Sequence, residues 1–123
     1  MTSKEWPPCV ICGKSVTTAD GILAIKYSEI WQYEKEMDLW EQEHPRDENG
    51  NRILAPSDLS SHPLRVRWHW GHINCITDAD VYDIGADTFD TIGKALRWTL
   101  HLMEKPWILN TNWAATVRRF YDL

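Results

Sequence analysis

Cys9 and Cys12 are separated by two residues and followed at once by Gly13, and His72 and Cys75 repeat the same spacing far downstream. Two ligands so spaced can reach one Zn²⁺ from a single tight turn, and a glycine after the second lets the backbone fold back under the metal. Together the pairs make a Cys3His tetrahedron that uses all three cysteines of the chain. A closed shell of this kind leaves no position for water or substrate, so one structural Zn²⁺ is expected rather than a Lewis acid. In small zinc peptides such binding is worth on the order of 10 to 16 kcal/mol and couples directly to folding.

Two other readings of the thiols stay open. A redox Cys-x2-Cys needs a helix start after a strand and a lowered thiol pKa, whereas Cys9 follows Pro7-Pro8 near the start of the chain. Plain buried cysteines are the other. The histidine is also a choice, because His69, His72 and Cys75 form a ladder of two-residue gaps. On a strand, His69 lies opposite Trp70, while His72, past Gly71, is freer to turn toward the metal. His69 is thus the alternative ligand, or a solvated or supporting histidine. His44, His62 and His101 have ordinary surface or helix settings.

The pattern resembles the treble-clef group of zinc fingers, in which a Cys-x2-Cys-Gly knuckle precedes a β-hairpin and a later helix start supplies the last two ligands. Trp70-Gly71-His72-Ile73-Asn74-Cys75 is similar to the Trp-x-His-x2-Cys end of the poly(ADP-ribose) polymerase type. The 59 residues between Cys12 and His72 exceed what such fingers usually have, and an inserted helix over 28–44 with its loop would account for the excess. The resemblance implies nucleic-acid binding as one function. Gly71-His72-Ile73 also bears a faint likeness to the histidine-bearing strand end of HNH nucleases, but a base at His72 would take a ligand from the zinc, and the family's later Cys-x2-Cys-His segment is missing.

The elements that must position these ligands follow from the pattern. A polar arm, 1–8, leads to the knuckle, and Ile22 to Tyr27 reads as a strand after the Asp20-Gly21 turn signal. Ser28 can cap a helix whose Ile30, Tyr33, Met37 and Trp40 share a face, ending near His44-Pro45. Residues 46–63, with Asn49-Gly50, Pro56 and Pro63, suit a long mobile loop. Leu64 to Trp70 alternates as a strand, with Leu64, Val66, Trp68 and Trp70 on one side, before Gly71 ends it and the chain turns toward a short helix. Asp87 or Thr88 can cap a helix in which Phe89, Ile92, Leu96, Leu100 and Met103 share a face until Pro106. A last helix starts near Asn112, with Trp113, Val117, Phe120 and Tyr121 inward and Arg118 and Arg119 outward. The expected architecture is a single α+β domain over 1–123, a small antiparallel sheet with a zinc knuckle packed against about three helices.

Composition bounds what this frame can do. A net charge of −5 opposes long-range attraction to nucleic acid. Charge is uneven, since residues 29–48 carry eight acids against Lys35 and Arg46, and residues 94–123 carry five bases against Glu104 and Asp122. Eight tryptophans exceed what one small core easily hides, and Trp is enriched at interface hot spots. Trp40, Trp68 and Trp113 are expected in the core, and Trp31, Trp98 and Trp107 as exposed anchors for a protein partner. Arg65, Arg67, Arg97, Arg118 and Arg119 could instead form a nucleic-acid patch. Asp78, Asp80 and Asp83 are read as helix-start and loop acids rather than a cation site. No phosphate loop, dinucleotide fingerprint or Ser/His/Asp order points to an enzyme or a small-molecule substrate. No leader or membrane span is read, and an odd cysteine count points to a reducing compartment, the cytoplasm.

Overall fold

A computed structural model describes residues 6–123; the first five residues of the arm lie outside it. Among the described residues the fold is α+β, a three-stranded open antiparallel sheet with four α-helices. Strand β1, Gly21–Lys26, runs directly into helix α1, Tyr27–Glu43. A short helix, α2, spans Pro56–Ser60, and β2 spans His69–His72. Then come β3, Val81–Gly85, α3, Ile92–Leu102, and α4, Trp113–Tyr121.

The sheet order is β2-β1-β3, so the short apolar run near the start of the chain becomes the central strand. Its first five residues are all buried, as a central strand covered on both faces requires. Leu23 pairs with Trp70 on one side and Ile84 on the other. Leu23, Ile25 and Ile84 meet Ile30 and Tyr33 of α1, together with Phe89, Ala95, Leu102, Ile108 and Trp113.

Helix α1 buries Ile30, Tyr33 and Trp40, with Met37 packed partly beside them, on the face that the spacing predicts. Its cap differs from expectation. Lys26, not Ser28, is the capping residue, and the open N–H groups are taken by a distant acid: Tyr27 N–H donates to the Asp80 carbonyl at 3.1 Å and Ser28 N–H to its carboxylate at 3.1 Å. A carboxylate here also complements the positive end of the helix dipole. Asp78 pairs with Lys26, while Asp83 lies exposed on β3, so the three acids diverge.

The connection 46–63 contains α2 and is tied to α1. The Trp40 indole N–H donates to the Asp58 carbonyl, His44 stacks on Trp40 with ring centroids 4.4 Å apart, and Arg52 pairs with Glu41 at 2.8 Å.

Three expectations need correction. The strand expected from Leu64 begins only at His69, because the backbone before it bonds elsewhere. Val66 N–H donates to Asn110 O, Asn112 N–H to Val66 O, and Trp68 N–H to the Asn112 side chain, tying 66–68 to the segment before α4. Val66 and Trp68 are buried there, but Leu64 is exposed. Gly71 does not end that strand; it pairs with Ile22 inside β2.

Strand β3 went unread behind its flanking aspartates. Helix α3 is the third correction. It starts at Ile92, capped by the Thr91 hydroxyl accepting from Lys94 N–H at 3.2 Å, while Asp87 and Thr88 belong to a preceding 3-10 turn. Phe89 is fully buried outside the helix, but Ile92, Leu96, Leu100 and Met103 are 55%, 59%, 60% and 67% exposed. Ala95 and Leu102 face the core instead, about 100° around the helix from that stripe at 3.6 residues per turn.

Candidate metal centre

Cys9 and Cys12 sit on a knuckle closed by backbone bonds. Cys9 N–H donates to Lys14 O at 2.8 Å, and Gly13 N–H to Cys9 O at 2.9 Å. Gly13 has φ +75°, the left-handed region that glycine adopts at no steric cost. Ile11 N–H points at the Cys9 sulfur, 3.4 Å away.

The second pair lies at the end of β2. Cys75 N–H and Ile76 N–H both donate to His72 O, at 2.9 and 3.0 Å, turning Cys75 back beside the histidine. The turn leads into an extended segment and β3, so no helix follows Cys75 as a treble clef would have it. Trp70, two residues before His72, anchors the strand among Trp6, Phe89 and Phe120, with ring centroids 5.1 to 5.6 Å away.

The four side chains converge, and their ligand atoms all lie within 4.8 Å of one another. His72 Nδ1 is 3.3 Å from the Cys12 sulfur and 3.8 Å from the Cys75 sulfur. These bracket the separation of about 3.6 Å expected for sulfur and nitrogen on a tetrahedral Zn²⁺. The other ring nitrogen completes the fit: His72 Nε2–H donates to Ser15 O at 3.0 Å, which leaves the Nδ1 lone pair turned toward the thiols. His69 is not in the cluster; it pairs with Ala24 across the sheet.

Electrostatics within the cluster calls for a cation. Burial pushes the Cys9 thiol up, but hydrogen bonds from the backbone of Cys12, His72 and Ile11 outweigh it and bring it to about 6. Burial, with the neighbouring thiols adding to it, pushes Cys75 up to about 11. Without a metal Cys75 stays a neutral thiol near neutrality, whereas a bound Zn²⁺ would hold its ligand sulfurs as thiolates and release protons on binding. The chemistry of the donor set therefore fits zinc. Cys9, Cys12 and Cys75 would each give a sulfur and His72 its Nδ1.

The remaining predicted residues distribute unevenly. Trp31 is 60% exposed on α1. Trp98 and Trp107 are half-buried against the core, with Trp107 edge-on to Tyr82 at 5.5 Å. Trp40, Trp68 and Trp113 are buried. Arg65, Arg67 and Arg119 line one groove of about 620 Å³ between the end of α3 and the start of α4, a convergence with no linear signal in the sequence. Arg97 and Arg118 do not line it.

The exposure of the apolar stripe of α3 is the feature that sequence reasoning missed, although the shared face of Ile92, Leu96, Leu100 and Met103 was legible. Among the described residues, no helix is long and apolar enough to cross a membrane. No protein-family model, curated protein or solved structure matches the chain.

Proposed function

We propose that the chain is a zinc-stapled interaction domain, in which one structural Zn²⁺ on Cys9, Cys12, His72 and Cys75 fixes the knuckle and helix α3 binds another protein. The observation that carries this reading is the outward row Ile92, Leu96, Leu100 and Met103. At 1.5 Å per residue it is about 16 Å long, and contiguous apolar surface of that extent is characteristic of binding faces. Trp31 on α1 is a second, separate anchor.

The domain acts without catalysis at the metal. Both ring nitrogens of His72 are committed, one toward the thiols and one to Ser15, which supports a ligand and argues against a base. The treble-clef resemblance rests on the ligand spacing, and the turn after Cys75 departs from it. Thiolate ligation suits a reducing compartment such as the cytoplasm.

Capture from cells by wild type and by Leu96→Ser/Leu100→Ser, each checked for zinc content, tests the reading. A partner lost by the double variant is the expected result. Identical captured proteins from both would overturn it. A nucleic-acid reading draws on the convergence of Arg65, Arg67 and Arg119; binding to DNA that weakens steeply with salt would support it.

A further inference from the structure

We infer that the groove joining α3 to α4 takes an acidic amphipathic helix from a partner protein, a deepening of the reading above that rests on α3 being the docking face. Met103 belongs to both surfaces: it closes the apolar stripe of α3 and lines the groove beside Leu64 and Leu109, which are 86% and 81% exposed. Aliphatic side chains thus continue from the helix into the groove.

The charges around it specify the partner. Among the described residues no carboxylate lines the groove, whereas Arg65, Arg67 and Arg119 do. The described ion pairs join Lys26, His44, Arg52, His72 and Lys94 to acids, and none uses these three arginines. Arg65 is held in place by donating from Nε to Leu109 O at 3.2 Å, which leaves its terminal nitrogens for a ligand. The side chains of Arg67 and Arg119 make no hydrogen bond or ion pair with described residues, and both residues are exposed.

Aliphatic contact flanked by unpaired guanidinium groups matches a helix with an apolar stripe edged by Glu or Asp. A nucleic acid fits less well, because Trp113, the one aromatic ring lining the groove among the described residues, is only 4% exposed and offers no face for a base.

The test uses the zinc-loaded protein and a synthetic Leu/Glu amphipathic peptide of about five helical turns, with a Leu/Lys counterpart of equal apolar content. The Glu peptide should bind, and the Lys peptide should be weaker by about tenfold or more, a gap that closes with salt. Arg67→Gln/Arg119→Gln should remove most of that preference, and Met103→Ser/Leu109→Ser should weaken the Glu peptide without altering zinc content.

Equal binding of both peptides, or of neither, would overturn the inference. So would arginine-dependent binding of a single-stranded oligonucleotide that Met103→Ser/Leu109→Ser leaves unchanged, or self-association through this face. If the cellular partner is lost by Leu96→Ser/Leu100→Ser but retained by the arginine variant, the docking face stands and the acidic partner falls.

Discussion

The Val10 backbone N–H donates to the Trp70 carbonyl at 2.9 Å, joining the knuckle that carries Cys9 and Cys12 to the strand that carries His72. The two half-sites are therefore in register through the backbone as well as through a metal. Trp70 is in turn fixed by Phe89 and Phe120 of the main core, so the strand half of the site is built by the core and the knuckle half is docked onto it.

Metal removal should accordingly act unequally. Chelation is expected to lower the melting temperature and to open the knuckle, while the helices packed on Leu23, Ile25 and Phe89 persist. Hydrogen exchange reads this directly: the amides of Cys9, Val10 and Gly13 should exchange faster without metal, and those of α1 should change little. Uniform loss of protection would mean that the staple holds the whole chain.

Ligand identity separates the two histidines. His72→Ala should lose bound zinc, because its Nδ1 lies 3.3 and 3.8 Å from two sulfurs, and Cys75→Ser should do the same. His69→Ala should keep a full equivalent. Cobalt substitution offers the readout, since thiolate-to-metal absorption should survive only in the His69 variant. Weakening the supporting shell through Asp20→Asn, whose carboxylate is 3.8 Å from His72 Nε2, should cost about tenfold or less in affinity.

Gly71 is required by packing rather than by backbone conformation. A Cβ there would lie 2.3 Å from Ile76 Cδ1 and 3.6 Å from the Cys9 sulfur. Gly71→Ala should destabilise the protein by about 1–3 kcal/mol, the usual range for overpacking. Adding Ile76→Val removes the nearest carbon and should recover part of the loss in urea unfolding.

The pair His44 and Asp58 gives the stability a pH window. His44 bonds two acceptors, Trp40 O at 2.8 Å and Asp58 at 3.0 Å, so only the imidazolium satisfies both; the Trp40 carbonyl first and Asp58 second raise its pKa above 6.5. That contribution is full below 6.5 and is lost as pH rises through the higher folded value. The Ala55 N–H first and His44 second hold Asp58 below 3.8, so its contribution is present above 3.8 and is lost as pH falls through the lower folded value. Both are complete only between those limits. Melting curves of wild type and His44→Gln should differ most near pH 5 and converge above neutrality; a constant difference would place the effect in the stacking on Trp40.

What the sequence revealed and what it hid divide along physical lines. The ligand spacings were legible because two-residue gaps are local geometry, and the α1 face was legible because Ile30, Tyr33 and Trp40 recur along one helix. Asp80 capping α1 could not be read, since the acid lies 52 residues from Ser28 and reaches it only once β1 and β3 pair. Strand β3 was hidden because Val81, Tyr82 and Ile84 sit among aspartates whose composition suggests a loop. The stripe of α3 was legible as one face but not as an outward one, because periodicity finds an apolar face without saying which body covers it.

That last point yields the sharpest check on the helix register. If Ala95 and Leu102 face the core, Leu102→Ala should cost about 2–5 kcal/mol through the lost contacts and the cavity left behind. Leu96→Ser and Leu100→Ser should each stay within about 0.5 kcal/mol of wild type, because both side chains already meet water. Denaturant midpoints decide between the two faces. Destabilisation by the serines instead would place the stripe in the core and leave α3 no face to offer.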